Sequence, residues 1–343
     1  MEPVKELRGA RTVVLDGHSF EVTELFSVYW YLATERQAIF HRRARGLPAP
    51  WTTDPILRCH RFTNAYRASD RVSQYLLQRV IYDADYDAHD VVLRVLLFKV
   101  FNRIETWEHL VSAFGEPTAA SFDPTLYAEA LDRRFAADER LYSAAYIMPS
   151  PRLGHGRKHS DHLHLLRRLL DDGSLAQIAN ATSLAHLYEL LLGVPSFGRF
   201  LAFQYAVDLN YSEVFDFGEM DFVVAGPGAL RGIEKCFVST GGLEAEDVIR
   251  AMAHAADEFL VDLGFQDLWG RPLQLIDCQN LFCEVDKYAR VSHPHLSFGG
   301  PSRIKQTYRV NEDPLTLGYP PKWSLPYTAN APTTAPLENP AMV

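Results

Sequence analysis

Apolar residues recur at helical spacing along most of the chain. Residues 20–45 (FEVTELFSVYWYLATERQAIFHRRAR) follow that rhythm and close in a basic cluster, before Gly46, Pro48 and Pro50 interrupt it. Residues 51–63 read as a loop, with Asp54-Pro55 as a turn or a helix start. In 68–81 the apolar positions 72, 76, 77, 80 and 81 predict an amphipathic helix, and the uniformly apolar run 91–100 predicts a buried one. Further helices are expected at 123–141, 160–172, 183–193, 198–208, 244–263 and 277–290. Strand patterning is scarce, and only short runs such as Phe222-Val223-Val224 qualify. No repeat of solenoid period occurs, so the pattern predicts a mostly α, globular chain.

After His293 the texture changes. Nine of the 20 prolines lie there and helical periodicity disappears. The expected organisation is an N-terminal arm over 1–19 and a helical body over 20–292. An extended segment packed on the body follows over 293–327, then a disordered tail over 328–343.

Composition narrows the picture. With 343 residues at 47% hydrophobic, a sizeable core is affordable and global disorder is excluded. No apolar run reaches membrane-spanning length, and the start (MEPVKELRGARTVV) has no apolar signal region, so a soluble, intracellular protein without a membrane partner is expected. Cys59, Cys236, Cys278 and Cys283 form no CxxC pair, which predicts four reduced thiols in or near the core. The net charge of −9 argues against nonspecific coating of nucleic acid but leaves room for a local basic groove.

Several familiar chemistries are missing: the sequence holds no GxxxxGK(S/T), HExxH or GxSxG. Residues 226–232 (GPGALRG) faintly resemble a dinucleotide fingerprint, but the third glycine comes one residue late and Pro227 sits inside it. A tight glycine turn is the better reading, with N–H groups near Gly226 and Gly228 facing a phosphate and Arg231 beside them. The run after Pro151 holds Arg152, His155, Arg157, Lys158, His159, His162, His164, Arg167 and Arg168. It reads as a solvated helix start, as a basic rim for a phosphate backbone, or as a histidine metal site that lacks a supporting carboxylate pattern; no metal site is expected. In 275–290, Asp277, Asn280, Glu284 and Lys287 repeat at +3, +4, +3 and share one helix face, either plain surface or the lining of a cleft.

Residues 191–202 (LLGVPSFGRFLA) resemble the helix-hairpin-helix element of base-excision DNA glycosylases, in which hairpin N–H groups and the next helix start hold a DNA phosphate. The resemblance implies DNA contacts at Gly193, Val194, Gly198 and Arg199, with Arg157 and Lys158 as a basic rim. Pro195 replaces the second hairpin glycine and removes one donor. Four strings then act together: WTTDPIL at 51–57 with RFTN at 61–64; FLAFQYAVDLNYS at 200–212; DFVVAGPGA at 221–229; and DCQN at 277–280 with Cys283-Glu284 and DKY at 286–288. In this order they resemble the family of the helical domain associated with 5-hydroxymethyluracil DNA kinases. Its relatives are the α-glutamyl/putrescinyl-thymine pyrophosphorylases, or amino acid:DNA transferases, of thymine-hypermodifying phages.

The resemblance implies a glycosylase-like helix-hairpin-helix fold and action on a modified thymine in DNA. An amine or amino acid would displace pyrophosphate from pyrophosphorylated 5-hydroxymethyluracil, with the nucleotide flipped or single-stranded. It implies Asp277 or Glu284 as general base, Lys287 for an incoming carboxylate, and Asp221 at the position of the glycosylase acid. Arg61, Arg67, Gly226, Gly228 and Arg231 would face pyrophosphate, while Gln279 and Asn280 would read the base edge beside Asn64 and Tyr288. No motif demands a cofactor, although Mg²⁺ with the pyrophosphate is compatible with the charge. DNA is the implied partner, together with a separate 5-hydroxymethyluracil DNA kinase. The compartment would be the host cytoplasm for a viral protein and the nucleus for a eukaryotic one. A DNA glycosylase and a non-catalytic DNA-binding module remain the alternatives.

Overall fold

A computed structural model describes residues 11–296 and 303–334. The α-helices are α1 (Leu25–Ala44), α2 (Pro55–Cys59), α3 (Arg71–Tyr75, prolonged by a π-helical turn at Leu76–Ile81), α4 (Ala88–Phe101) and α5 (Ile104–Phe114). Then come α6 (Pro124–Ala136), α7 (Lys158–Asp171), α8 (Ser174–Ala179), α9 (Leu184–Leu192) and α10 (Arg199–Asn210). The last four are α11 (Pro227–Cys236), α12 (Ala245–His254), α13 (Ala256–Leu260) and α14 (Leu275–Ser292). Strands are few and short: β1 (Arg11–Leu15), β2 (His18–Val22), β3 (Phe237–Ser239), β4 (Thr316–Leu317) and β5 (Thr333–Thr334). The protein is therefore mostly helical, as the periodicity predicts.

The chain divides into two compact units. The first holds Met1–Asp70, Val223–Leu317 and Thr333–Val343, the second Arg71–Phe222 and Gly318–Pro332. In the first, β1 and β2 form an antiparallel hairpin around Asp16 and Gly17, both at positive φ, and β2 pairs onward with β3. Val13, Leu15, Phe20 and Val22 bury the inner face of the hairpin. Phe26 and Trp30 of α1 meet Phe259, with the Trp30 and Phe259 rings stacked at 5.2 Å. Helix α11 lies against α14 at very close range: a Cβ on Gly232 would stand 2.1 Å from the Phe282 carbonyl oxygen.

In the second unit, every residue of α4 from Val91 to Phe101 is buried. Its charged members survive there because each is satisfied. Arg94 donates to the carbonyl of Val80 at 2.8 Å and pairs with Asp83 and Glu116, while Lys99 meets the buried Asp208 at 2.9 Å. Helices α9 and α10 are joined by a short turn in which Val194 and Phe197 are buried while Gly193, Pro195 and Gly198 are exposed. Within 318–332, Lys322 donates to the carbonyls of Ser212 and Phe215 past the end of α10.

Several expectations are corrected. Phe222-Val223-Val224 form no strand; the strands lie instead at 11–22, where Asp16-Gly17 is the turn signal. The expected glycine turn at 226–232 is the first half of a helix, with Gly226 as N-cap and Pro227 in the first turn. The run 244–263 breaks at Ala255 into two helices and a 3-10 turn, and the helix begun at 124 ends at Ala136. Helices α5 and α8 have no counterpart in the expected set. Of the expected tail, Thr333–Thr334 pair with Thr316–Leu317, and 335–343 lie outside the described residues, as do 1–10 of the expected arm. Cys236 and Cys278 are buried and Cys283 partly so, whereas Cys59 is exposed; all four are free.

Candidate functional site

The polar row of α14 belongs to the first unit and is mostly buried: Asp277, Asn280 and Glu284 are each under a tenth exposed. It is not a solvated face. Asp277 closes a capping box, its Oδ2 accepting from the Gln274 N–H at 3.0 Å while its Oδ1 accepts from the Arg67 N–H at 2.8 Å. Its carboxylate thus fastens the 60–70 segment to the start of the helix. That employment is architectural, and it weakens the case for Asp277 as a general base.

Two helical turns further along α14, Glu284 faces a different set of partners. Its Oε2 accepts from the Thr63 N–H at 3.2 Å and from Lys287 Nζ at 3.2 Å. Lys287 also lies 4.5 Å from the centre of the Phe62 ring. Arg36, on α1, donates from Nε to the Thr63 carbonyl at 2.7 Å, and from Nη2 to the Phe62 carbonyl at 3.2 Å and to Asn64 Oδ1 at 3.0 Å. Asp70 accepts from the Asn64 N–H at 2.8 Å. Asn64 is fully engaged, since its Nδ2 donates to the Ser69 carbonyl at 2.7 Å.

These contacts assemble two carboxylates, Asp70 and Glu284, with two cations, Arg36 and Lys287. Burial pushes the Asp70 carboxyl up to about 6; the Asn64 N–H and the charge of Arg36 oppose the rise, and the charge of Glu284 reinforces it. Burial likewise lowers Arg36, against the charges of Asp70 and Glu284. Thr63 Oγ1 is buried in this cluster without a hydrogen-bond partner among the described residues. Asp54 completes the neighbourhood. It caps α2 through Oδ1 and accepts from Tyr31 at 2.8 Å and Tyr288 at 2.7 Å through Oδ2. Both phenols are pushed up, first by burial and then by that carboxylate.

The structure therefore brings Asn64, Arg67, Asp277, Glu284, Lys287 and Tyr288 around one stretch of α14, with Arg61 exposed in the same segment. Arg231 stands in another group. It shares Asp286 with Lys235 and Arg290, at 3.2, 2.7 and 2.7 Å, and this charge set holds Asp286 below the usual carboxylate range against its burial. Gly228 packs against Cys283, and Gln279 donates to Cys283 Sγ at 3.4 Å with its Oε1 buried and unpartnered among the described residues. Gly228 and Gly232 thus serve the packing of α11 on α14, while Gly226 is the N-cap of α11.

The remaining candidates lie in the second unit. Asp221 follows α10, and Gly193, Val194, Gly198 and Arg199 occupy the α9–α10 turn. Arg157 is paired with Asp132 at 3.0 Å, and Lys158 sits 4.2 Å from the centre of the Tyr142 ring. Two histidines of this run are used internally. His162 bonds Tyr142 at 2.9 Å and the Pro149 carbonyl at 2.8 Å, and His159 meets Asp132 at 2.9 Å. Among the described residues no three His, Cys, Asp or Glu side chains converge as a metal site, and no helix is long and apolar enough to cross a membrane.

Residues 23–298 match the family model described as "5-hmdU DNA kinase, helical domain". The chain belongs to this family. It is 26% identical over 291 residues to a 5-hmdU DNA kinase of Bacillus phage SP10, an alignment that covers 77% of this chain and 45% of that relative. The chain thus spans less than half the length of the curated relative it matches. No solved structure matches. The stretch that matches the 5-hmdU DNA kinase helical domain includes α1, the 60–70 segment, the α9–α10 turn and α14. The sequence pattern marks Asp54 only as a turn or helix start and does not mark Arg36 or Asp70. Arg36 stands beside Glu35 and Asp70 beside Arg71, as ordinary surface charges do, and only the fold joins the three.

Proposed function

We propose that this chain acts in the modification of 5-hydroxymethyluracil in DNA, transferring an amine or amino acid to the pyrophosphorylated 5-hydroxymethyl group with release of pyrophosphate. The observation that carries this reading is the Asp70–Glu284 pair set beside Arg36 and Lys287, with Glu284 and Lys287 supplied by α14. Such a cluster suits displacement at a methylene carbon. The C–O bond breaks with its electron pair on pyrophosphate, the amine nitrogen forms the new C–N bond, and the surplus ammonium proton passes to a carboxylate. Asp70, held up to about 6, is poised for that proton near neutral pH. Lys287, Arg61 and Arg67 supply cations for the departing polyanion, and Mg²⁺ enters only as a companion of its oxygens. Glu284 positions Lys287 and the Thr63 backbone.

The α9–turn–α10 element supports a glycosylase-like helix-hairpin-helix reading of the second unit, because buried Val194 and Phe197 pin a turn whose Gly193, Gly198 and Arg199 remain exposed. Residues 1–343 hold no GxxxxGK(S/T), so the activating phosphorylation is assigned to a 5-hydroxymethyluracil DNA kinase outside this stretch of sequence.

The test uses DNA containing 5-hydroxymethyluracil or its pyrophosphorylated form, offered to the protein with a pool of amino acids and polyamines. Digested nucleosides are then read by mass spectrometry. A heavier nucleoside formed only from the pyrophosphorylated DNA is expected and identifies the nucleophile. Unchanged nucleosides in both samples would leave a DNA-binding module, and abasic sites would mean a glycosylase.

A further inference from the structure

A cavity of about 300 Å³ lies in the first unit, at the lower end of the size range of small-ligand pockets. Trp51, Leu57, Tyr308 and Val310 give it aromatic and aliphatic walls, and Arg36, Thr52 and Arg58 are its polar members. Its far wall comes from the segment after 303, held in place where the Tyr308 N–H donates to the Cys59 carbonyl at 2.9 Å and the Arg61 N–H donates to that of Gln306 at 3.1 Å.

The polar groups are strongly biased towards donors. Among the described residues no carboxylate is part of its lining. Arg36 spends Nε and Nη2 on the 62–64 segment, and its Nη1 has no partner among the described residues. The charge of Arg36 is balanced by Asp70 and Glu284, so towards the cavity it offers N–H groups more than net charge. Thr52 Oγ1 accepts from the Asp54 N–H at 3.0 Å and keeps its own proton to donate. Arg58 differs. Its side chain is exposed and makes no ion pair or hydrogen bond with the described residues, so none of them compensates its charge. Inside, then, the cavity fits a flat, neutral, acceptor-rich ring; the exposed Arg58 fits an anion.

We propose that this cavity receives one extruded uracil-type base of a DNA strand, with a flanking phosphate on Arg58. A uracil ring presents two carbonyl acceptors and a flat face for Trp51 and Tyr308, whereas the exocyclic amine of cytosine or adenine would set donor against donor. The assignment rests on the proposed action on DNA and adds to it the place where the base is held. Arg36 lines the cavity and feels the charges of Asp70 and Glu284, so it couples a base seated here to those carboxylates electrostatically.

The experiment is photocrosslinking of the full chain to a single-stranded oligonucleotide carrying one 5-iodo-2′-deoxyuridine, with the crosslinked peptide mapped by mass spectrometry. Crosslinks at Trp51 or Tyr308 are expected. Val310→Trp, which fills the cavity from an exposed position, should abolish them, and Arg58→Ala should lower their yield several-fold while leaving the thermal melt unchanged. An oligonucleotide carrying 5-iodo-2′-deoxycytidine should crosslink poorly. Crosslinks mapped elsewhere, equal yields from the two bases, or indifference to Arg58→Ala would overturn the assignment. So would loss of the crosslink on adding a free amino acid, which would make the cavity the seat of the nucleophile. Crosslinking needs no turnover: a correct crosslink without a transfer product removes the transferase reading alone, and a product without the crosslink removes the pocket alone.

Discussion

At Asp70 two influences oppose each other. Burial disfavours its charge, while the Asn64 N–H and the nearby Arg36 favour it, and burial prevails, pushing the carboxyl up to about 6. A base has to be unprotonated to accept the ammonium proton, so transfer should slow as pH falls through 6, by about tenfold per unit below it. The linkage has the opposite sense. The folded carboxyl holds its proton more tightly than the unfolded one, so stability falls as pH rises from about 4 to about 6. Asp70→Asn should therefore remove the acid limb of the rate profile together with most of the rate, and should flatten the stability profile across that window. A pH-rate series and a pH-melting series on the two proteins check both halves. A variant that keeps the wild-type limb would take the base role away from Asp70.

Helix α11 shows how an element is fixed by what it must pass. Both Gly228 and Gly232 face α14, but they meet different obstacles. A Cβ on Gly232 would stand 2.1 Å from a backbone oxygen, whereas one on Gly228 would stand 2.9 Å from Cys283 Sγ, the end of a side chain. Backbone cannot yield without moving a helix. Gly232→Ala should therefore cost about 1–3 kcal/mol or more in denaturant unfolding, and Gly228→Ala distinctly less. The same pair explains what sequence pattern left hidden. The long amphipathic runs at 25–44, 71–81 and 275–292 are legible because burial on one face imposes their period. A helix selected for small residues at a crossing shows glycines and a proline instead, which read as a turn. The β1–β2 hairpin escapes the sequence pattern for a related reason: its Asp16-Gly17 signal is flanked by strands of five residues each, too short for the alternation to stand out. Of the site, the α14 row is legible as one face, but Arg36 and Asp70 come from segments more than two hundred residues away in sequence. Nothing in their local pattern marks them.

For the molecule as a whole, charge sets the terms on which DNA is met. A chain of net charge −9 cannot rely on a broad field, and many of its cations are already spent. Arg167 and Arg168 are paired with Asp171 and Asp172, and Arg157 with Asp132. Arg58 is unspent by this measure. Binding to single-stranded DNA should thus involve only a few phosphates, with log affinity falling against log salt at a slope of roughly −2 to −3, since each neutralised phosphate contributes about −0.7. Arg58→Ala should reduce the steepness by about one phosphate's share, and Arg167→Ala should leave it unchanged because its charge is already answered by Asp171. Titrations of the three proteins at several salt concentrations measure the slopes directly. A steep wild-type slope that drops with Arg167→Ala would mean that the basic run around α7, and not the cavity mouth, carries the phosphate contacts.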